Sequence, residues 1–377
     1  MNVPNVSVVM GVFNGARFLR EAVESILNQN FCDFEFIIVN DGSTDRTADI
    51  LSRYEESDSR VIVCHQQNKG LIESLNTGCG LARGPYIARI DADDVAFPER
   101  LERQINYLER NPKVGLLGSS VNIINVLGRR VSTMAHPSED KVIRSRLFEL
   151  HNVAICHVSV VFRTELFRAV NGYRTAFAAA EDYDLWLRIA ERSQVANLPE
   201  PLVNVRRRAH SLSFTNIRQQ VISILVAWAA ASIRQAGGID PIRQKDAVSR
   251  DLLRSLGVSD AVFENCLMEV YQYWISAMLQ ASDNCGALRV MREALESQSW
   301  RHINRSVVAN TWLAAARIYS EQGCYFQSMF SVARALAARP MIAGRPVKRI
   351  VSHLGLLSKG DGSTDRTVSL SPTRELQ

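Results

Sequence analysis

Apolar and polar positions alternate in a regular order along the first 120 or so residues. Residues 6–10 form a β-branched apolar run closed by the Asn14-Gly15 turn, which predicts a buried strand. Leu19, Ala22, Val23, Ile26 and Leu27 then recur at i, i+3, i+4, i+7 and i+8, the stripe of an amphipathic helix. The same pair of signatures repeats. A strand at 34–39 is followed by a helix after Asp41-Gly42-Ser43-Thr44-Asp45, with Ser43 or Thr44 as its N-cap. A strand at 61–64 precedes a helix at 71–82 that Gly84-Pro85 stops. A strand at 86–90 precedes a helix that Pro98 opens, faced by Leu101, Ile105 and Leu108, and a fifth strand follows at 114–118.

Strict strand–helix alternation predicts an α/β fold, a doubly wound and mostly parallel sheet covered on both faces. In such sheets ligands bind beyond the carboxyl ends of the strands. Residues 11–14, Asp41 and residues 91–94 all fall there. From 121 to about 213 the alternation loosens, with a hairpin at 121–131, strands at 158–162 and 202–205, and a short helix at 182–190. Beyond 216 the pattern is helical and rich in Ala, Leu and Arg. The composition shift at 214–220 divides the chain into an α/β domain at 1–215, a helical extension at 216–357, and a polar tail at 358–377 read as disordered.

Bulk composition narrows the class. Lysine plus arginine total 44 against 39 acidic residues, a net charge of +5. That suits an anionic ligand or a membrane surface, and it is too weak to argue for nucleic acid, for which no binding motif is present. The seven cysteines include no Cys-x-x-Cys pair and are odd in number, which favours free thiols and a cytoplasmic setting. No secretory signal opens the chain. The apolar run at 221–233 is too short to span a bilayer, so the expectation is a peripheral contact with the inner face of the membrane, aided by Arg206, Arg207, Arg208, Arg345, Lys348 and Arg349.

Asp91-Ala92-Asp93-Asp94 carries the strongest chemical signal. Three carboxylates between a buried strand and a proline-started helix repel one another unless a cation neutralises them, and hard oxygen donors favour Mg²⁺ or Mn²⁺. Such an ion could clamp a diphosphate leaving group. A solvated acidic turn with N-capping aspartates is the competing reading, and on these residues alone both stand open.

Seven stretches extend the context: VSVVMGVFNGARFLREAVESILNQ, FIIVNDGSTDRT, NKGLIESLNTGCGLARGPYIARIDADD, FPERLERQ, HVSVVFR, EDYDLWLRIA and RRRAHSLS. In order, spacing and strand context they resemble the family 2 glycosyltransferases of the GT-A fold, over about two hundred residues. The resemblance implies sugar transfer from a nucleotide-diphosphate donor, UDP-linked in the sense that Asp41 would read a uracil N–H, to an acceptor hydroxyl with inversion. It implies that Gly11, Val12, Asn14 and Asn68 line the nucleotide pocket and that Asp91 and Asp93 form the metal and ribose-diphosphate site. It further implies Asp182 as catalytic base and His210 as an additional metal ligand. The acceptor class is a glycan or lipid-linked glycan of the bacterial cell surface. Asp182 opens a helix, whose dipole would keep it ionised, and a neutral imidazole at His210 suits a metal.

The bland readings stay beside these. Glu181 and Asp184 read as solvent-facing helix charges, His157 as a satisfied core histidine, and Arg206 to Arg208 as either a solvated basic edge or a phosphate contact. The sequence departs from the family pattern at Asn40, at Leu75 where an arginine is common, and at Arg207 where an aromatic is common, which leaves donor and acceptor identity open. Residues 309–342 fit the spacing of one tetratricopeptide repeat, although an ordinary helical hairpin fits as well. DGSTDRT at 361–367 repeats 41–47 without a strand before it. A nucleotidyltransferase acting on sugar phosphates lacks its glycine-rich basic loop here. No phosphate-binding loop of the Gly-x4-Gly-Lys type is present, and a helical partner-binding scaffold would not need Asp91, Asp93 and Asp182.

Overall fold

The computed structural model describes residues 3–150, 154–207, 216–243, 245, 247–280, 283–296 and 305–339. The chain forms two compact units that divide between Val290 and Met291. The first carries a nine-stranded mixed sheet. Strands β1 (Val6–Val12), β2 (Phe34–Asp41), β3 (Val61–Gln66) and β4 (Tyr86–Arg89) alternate with helices α1 (Leu19–Leu27), α2 (Thr47–Ser57) and α3 (Leu71–Leu81). Val6 pairs with Phe34 on one side and Tyr86 on the other, both parallel. β5 (Val95–Ala96) and α4 (Arg100–Arg110) follow, then β6 (Val114–Ile124), β7 (Arg130–Met134), α5 (Asp140–Phe148), a 3₁₀ turn at His157–Ser159, β8 (Val161–Arg163), α6 (Thr164–Ala169), α7 (Glu181–Ala190) and β9 (Gln194–Arg206).

The sheet runs β3-β2-β1-β4-β8-β6-β9-β5, with β7 paired to β6. The first four strands are parallel, as the alternation predicts. β8 enters antiparallel to both β4 and β6, which turns the sheet mixed just where the alternation loosens. The core explains the apolar runs. Val6, Val8, Met10, Leu19, Ala22, Val23, Ile26, Phe36 and Ile38 belong to one buried cluster. Burying side chains of this kind supplies about 1.5–3 kcal/mol each before chain entropy opposes it.

Helix α2 begins at Thr47, later than Ser43 or Thr44, and no side chain caps it. The hydroxyls expected to cap it are used by the neighbouring loop. The apolar run at 221–233 also differs from its expected role. It lies within α8 (Ile217–Gln235), where Val221, Leu225, Val226, Ala227 and Ala229 to Ala231 are buried, so this run is not available to a membrane. Trp228 Nε1 donates to the Phe148 carbonyl at 2.7 Å, and Arg234 pairs with Glu191 at 2.7 Å. Helix α8, just beyond the composition shift, therefore packs into the first unit, and the observed division falls between Val290 and Met291, later than residue 215. α9 (Arg250–Ser255), α10 (Asp260–Gln280) and α11 (Asn284–Glu296) follow.

The second unit contains a helical hairpin of α12 (Arg305–Glu321) and α13 (Tyr325–Ala338), turned at Gly323 with φ 74°. Ala316 and Val332 form its small core, and Ser328 Oγ donates to the Ala316 carbonyl at 2.7 Å. The second DGSTDRT copy, the tail from 358 and the end of the repeat-like segment lie outside the described residues. Among the described residues no helix is long and apolar enough to cross a membrane, and all seven cysteines are free.

Candidate active site

The carboxyl ends of β1, β2 and β4 gather most of the candidate residues, in two regions of different character. In the first, the loop after β1 is zipped to the loop after β2. Asn14 takes φ 51°, a left-handed conformation that asparagine tolerates. Its N–H donates to Ser43 Oγ at 3.0 Å, and its Oδ1 accepts from the Thr44 N–H at 2.8 Å and the Asp45 N–H at 3.3 Å. The Gly15 N–H donates to Thr47 Oγ1 at 3.0 Å. Val12 points into the core at 4% exposure, so only its backbone faces a ligand.

Asp41 is buried and heavily engaged. Oδ1 accepts from the Lys69 N–H at 2.8 Å and Gln66 Nε2 at 2.7 Å, and Oδ2 accepts from the Gly70 N–H at 2.8 Å. The carboxylate thereby fixes the loop that leads into α3. Gly42, at φ 71°, lies against that loop: a Cβ there would stand 2.7 Å from the Asn68 nitrogen. Asn68 itself is exposed at the loop crest. A base N–H reaching Asp41 would have to share an oxygen already bonded to the protein.

The second region holds the acidic groups that are not satisfied in this way. Asp91, Asp93 and Asp94 offer ligand oxygens that all lie within 4.8 Å of one another. Asp94 is buried, and its carboxyl is pushed well up by burial and then by the charges of Asp91 and Asp93. β9 closes over this cluster. The Arg206 N–H donates to Asp94 Oδ1 at 2.8 Å, and its guanidinium reaches the Asp93 carbonyl at 2.9 Å and Glu21 at 2.6 Å. Arg206 is thus a buried tie and not a solvated edge or a phosphate contact. Arg207 donates to the Tyr273 hydroxyl at 3.0 Å. Arg208 and the expected metal ligand His210 lie outside the described residues.

Facing the cluster, α7 starts at Glu181 after Ala180 takes φ 65°, a costly left-handed conformation for a residue with a Cβ. Asp182 Oδ1 accepts the Tyr183 N–H at 2.8 Å. The helix start does not hold Asp182 at an ordinary carboxylate value. Burial raises its proton affinity, with the Tyr183 N–H and Arg89 opposing. Burial and then the charge of Asp182 push Glu181 up to about 8. Glu181 is no solvent-facing charge. Nor is Asp184, which is fully buried between Arg174 and Arg188, the latter at 2.7 Å. Asp184 anchors the helix, and Arg188 passes the anchor on to the Val170 and Gly172 carbonyls at 2.6 and 2.8 Å.

Two residues outside the expected set complete the region. His157, read from sequence as a core histidine, sits at the carboxylate pair. Its Nδ1 is 3.8 Å from Glu181 and 4.0 Å from Asp182, and its Nε2 is 2.9 Å from the Tyr173 hydroxyl. Burial, and then Arg89, hold its pKa well below the usual value, so the ring is neutral at pH 7. Arg89, at the end of β4, is buried and pairs with Asp91 at 2.5 Å. Its signal was present in the sequence, since an arginine interrupts the apolar run YIARI. An open cleft of about 570 Å³ at the far end of β9, lined by Lys113, Asp140, Arg144 and Gln194 among others, contains none of these residues.

A sheet of this topology, with an acidic cluster at one strand end and a second carboxylate pair facing it, defines the class of the GT-A glycosyl-transfer fold. Residues 7–170 match the family model Glycosyl transferase family 2. The putative glycosyltransferase EpsE of Bacillus subtilis is 32% identical over 232 residues, covering 60% of this chain and 82% of that protein. The O-antigen biosynthesis glycosyltransferase WbnJ of Escherichia coli is 33% identical over 205 residues, covering 53% of this chain and 79% of that protein. In fold, the chain is similar to Staphylococcus aureus TarS 1-349 solved with UDP-GlcNAc, with TM-score 0.50 and 15% identity across 87% of this chain and 90% of that one. The chain belongs to glycosyl transferase family 2 and is a glycosyltransferase.

Proposed function

We propose that the protein transfers a sugar from a nucleoside-diphosphate donor, uridine-linked, to an acceptor hydroxyl with inversion, using a divalent cation, Mn²⁺ or Mg²⁺. The observation that carries this reading is the pairing of two acidic groups of different kind at one sheet edge. Asp91, Asp93 and Asp94 form a compact set of hard oxygen donors, and their mutual repulsion fits a cation. When bound, that ion would neutralise charge on the departing diphosphate. Asp182 takes the acceptor proton: its raised proton affinity brings it closer to the working pH, which improves a general base. One base on the acceptor side, with no second nucleophile assigned, supports a single displacement.

Gly11, the Val12 backbone, Asn14 and Asn68 border the donor base, and Asp41 holds the loop beneath it. His210 is proposed as a further ligand on its sequence position alone. The acceptor is a glycan or lipid-linked glycan in the building of a cell-surface polysaccharide or glycolipid, supported by the similarity to the O-antigen biosynthesis glycosyltransferase WbnJ. The proposed setting is cytoplasmic, at the inner face of the membrane. A hydrolysis and transfer screen of sugar nucleotides with Mn²⁺ tests this. Turnover of a UDP-sugar that chelation abolishes is expected, and undiminished turnover after chelation would remove the cation from the reading.

A further inference from the structure

Among the described residues, Arg89 is the guanidinium that reaches the acidic cluster with donors left open. Its side chain is 3% exposed and contacts Asp91 Oδ1 at 2.5 Å. Its Nε and Nη1 find no acceptor among the described residues. The neighbouring Arg206 differs, because Glu21 at 2.6 Å answers its charge. The backbone of Arg89 is held in place: Arg100 Nη2 donates to its carbonyl at 2.7 Å, and Gln104 holds Arg100 at 3.1 Å while donating to the Ser159 carbonyl at 2.7 Å. A buried charge with open donors is normally removed or paired, so its presence beside Asp91 calls for a reason.

We infer that Arg89 is a positioning residue that tunes the cluster to accept a cation together with a nucleoside diphosphate in preference to the bare cation. It takes one oxygen of Asp91, whose carboxylate lies beside those of Asp93 and Asp94. Three carboxylates against one guanidinium leave at most two negative charges. A lone dication is repelled by Arg89, whereas a cation–diphosphate pair, close to neutral, is not, and its anionic oxygens are attracted. Two effects oppose each other when Arg89 is removed. Orientation of one carboxylate is worth about threefold to tenfold in affinity. A unit charge beside a dication in a half-wet pocket is worth on the order of a hundredfold. The charge effect therefore decides the sign. The inference rests on reading Asp91 to Asp94 as a cation site.

The test is Mn²⁺ titration of the full chain by electron paramagnetic resonance, with and without UDP, in wild type, Arg89→Met, Arg89→Lys and the control Asp93→Ala. Melting temperatures establish that each variant is folded, and Arg89→Gln serves if the methionine variant is not. Arg89→Met is expected to bind Mn²⁺ alone about tenfold more tightly than wild type, while UDP adds less to that affinity. Arg89→Lys is expected within about threefold of wild type, because the charge is kept. Bare-cation affinity that is unchanged or weaker in Arg89→Met, with Asp93→Ala still abolishing binding, overturns the inference and leaves the cation site standing. Absence of Mn²⁺ binding in every protein, UDP present, overturns the cation site and this inference with it.

Discussion

Asp41 and Asp182 lie at the same end of one sheet and could hardly be treated more differently. Asp41 receives two backbone N–H groups and the Gln66 amide, all at 2.7–2.8 Å. Asp182 receives its neighbour's N–H and is otherwise pressed against Glu181, His157 and the field of Asp91. A carboxylate saturated by donors has its charge committed to holding a loop. A carboxylate buried among other acids keeps its affinity for a proton. Identity of residue type tells nothing here, and the donors around each carboxylate are what set the two apart.

The sharpest way to break that contrast is Asp182→Asn, which keeps size and loses proton acceptance. Single-turnover rates should fall by about 10²–10⁴-fold while donor Kd stays put. In the wild type, activity should fail as pH drops through a value above the ordinary carboxylate range, because burial raises the pKa and the base works only when ionised. A near-normal rate in the variant would hand the role to Glu181.

Asp93→Ala comes next. Loss of a cation contact worth several kcal/mol should weaken cation-dependent donor binding on the order of 10²-fold. The melting temperature should hold or rise, since one of three mutually repelling charges is gone. Calorimetry with UDP and Mn²⁺ reads the first, and a thermal melt the second.

Asp41→Ala should behave in the opposite way. Leaving the Lys69 and Gly70 N–H groups without their acceptor costs about 1–3 kcal/mol, visible as a lower denaturation midpoint together with weaker donor binding. An unchanged midpoint would show that the loop does not depend on this carboxylate.

The smallest effect sharpens the comparison through pH. Glu181 binds its proton more tightly in the folded chain, at about 8, than an ordinary glutamate does at 4.5 in the unfolded one. The folded state therefore holds more protons between those values, and stability falls as pH rises across that window. Glu181→Gln should flatten the slope of urea midpoints against pH between 5 and 8, and an unaltered slope would assign it to another group.

Much of this was legible in the chain, and the failures have physical causes. The buried runs at 6–10, 34–39 and 86–90 mark real strands because both faces of that part of the sheet are covered, and the run at 61–64 marks the partly buried edge strand β3. The antiparallel insertion of β8 was hidden because a three-residue apolar strand reads the same in either direction. Asp91 and Asp93 announced themselves by clustering. Asp182, Glu181 and Asp184 could not be sorted, since a helix start exposes no difference between a carboxylate that meets Arg174 and Arg188 and one that meets His157. Ser43 and Thr44 look like caps to local rules, but Asn14, about thirty residues earlier, claims them. The shift to Ala-rich helix near 216 signals a change of element type, and the buried face of α8 keeps it in the first unit.

The tie between Asp94 and Arg206 spans 112 residues of chain. During synthesis the aspartates emerge early, yet the strand that closes over them is among the last pieces of the sheet to be made. Until β9 is in place, Asp94 lacks its backbone donor, and the acidic turn lies open beside a raw sheet edge. A fragment ending near residue 170, where the family match stops, would carry the whole aspartate motif and no finished pocket. Completion of the sheet by its last strand is thus what supplies Asp94 with its backbone donor.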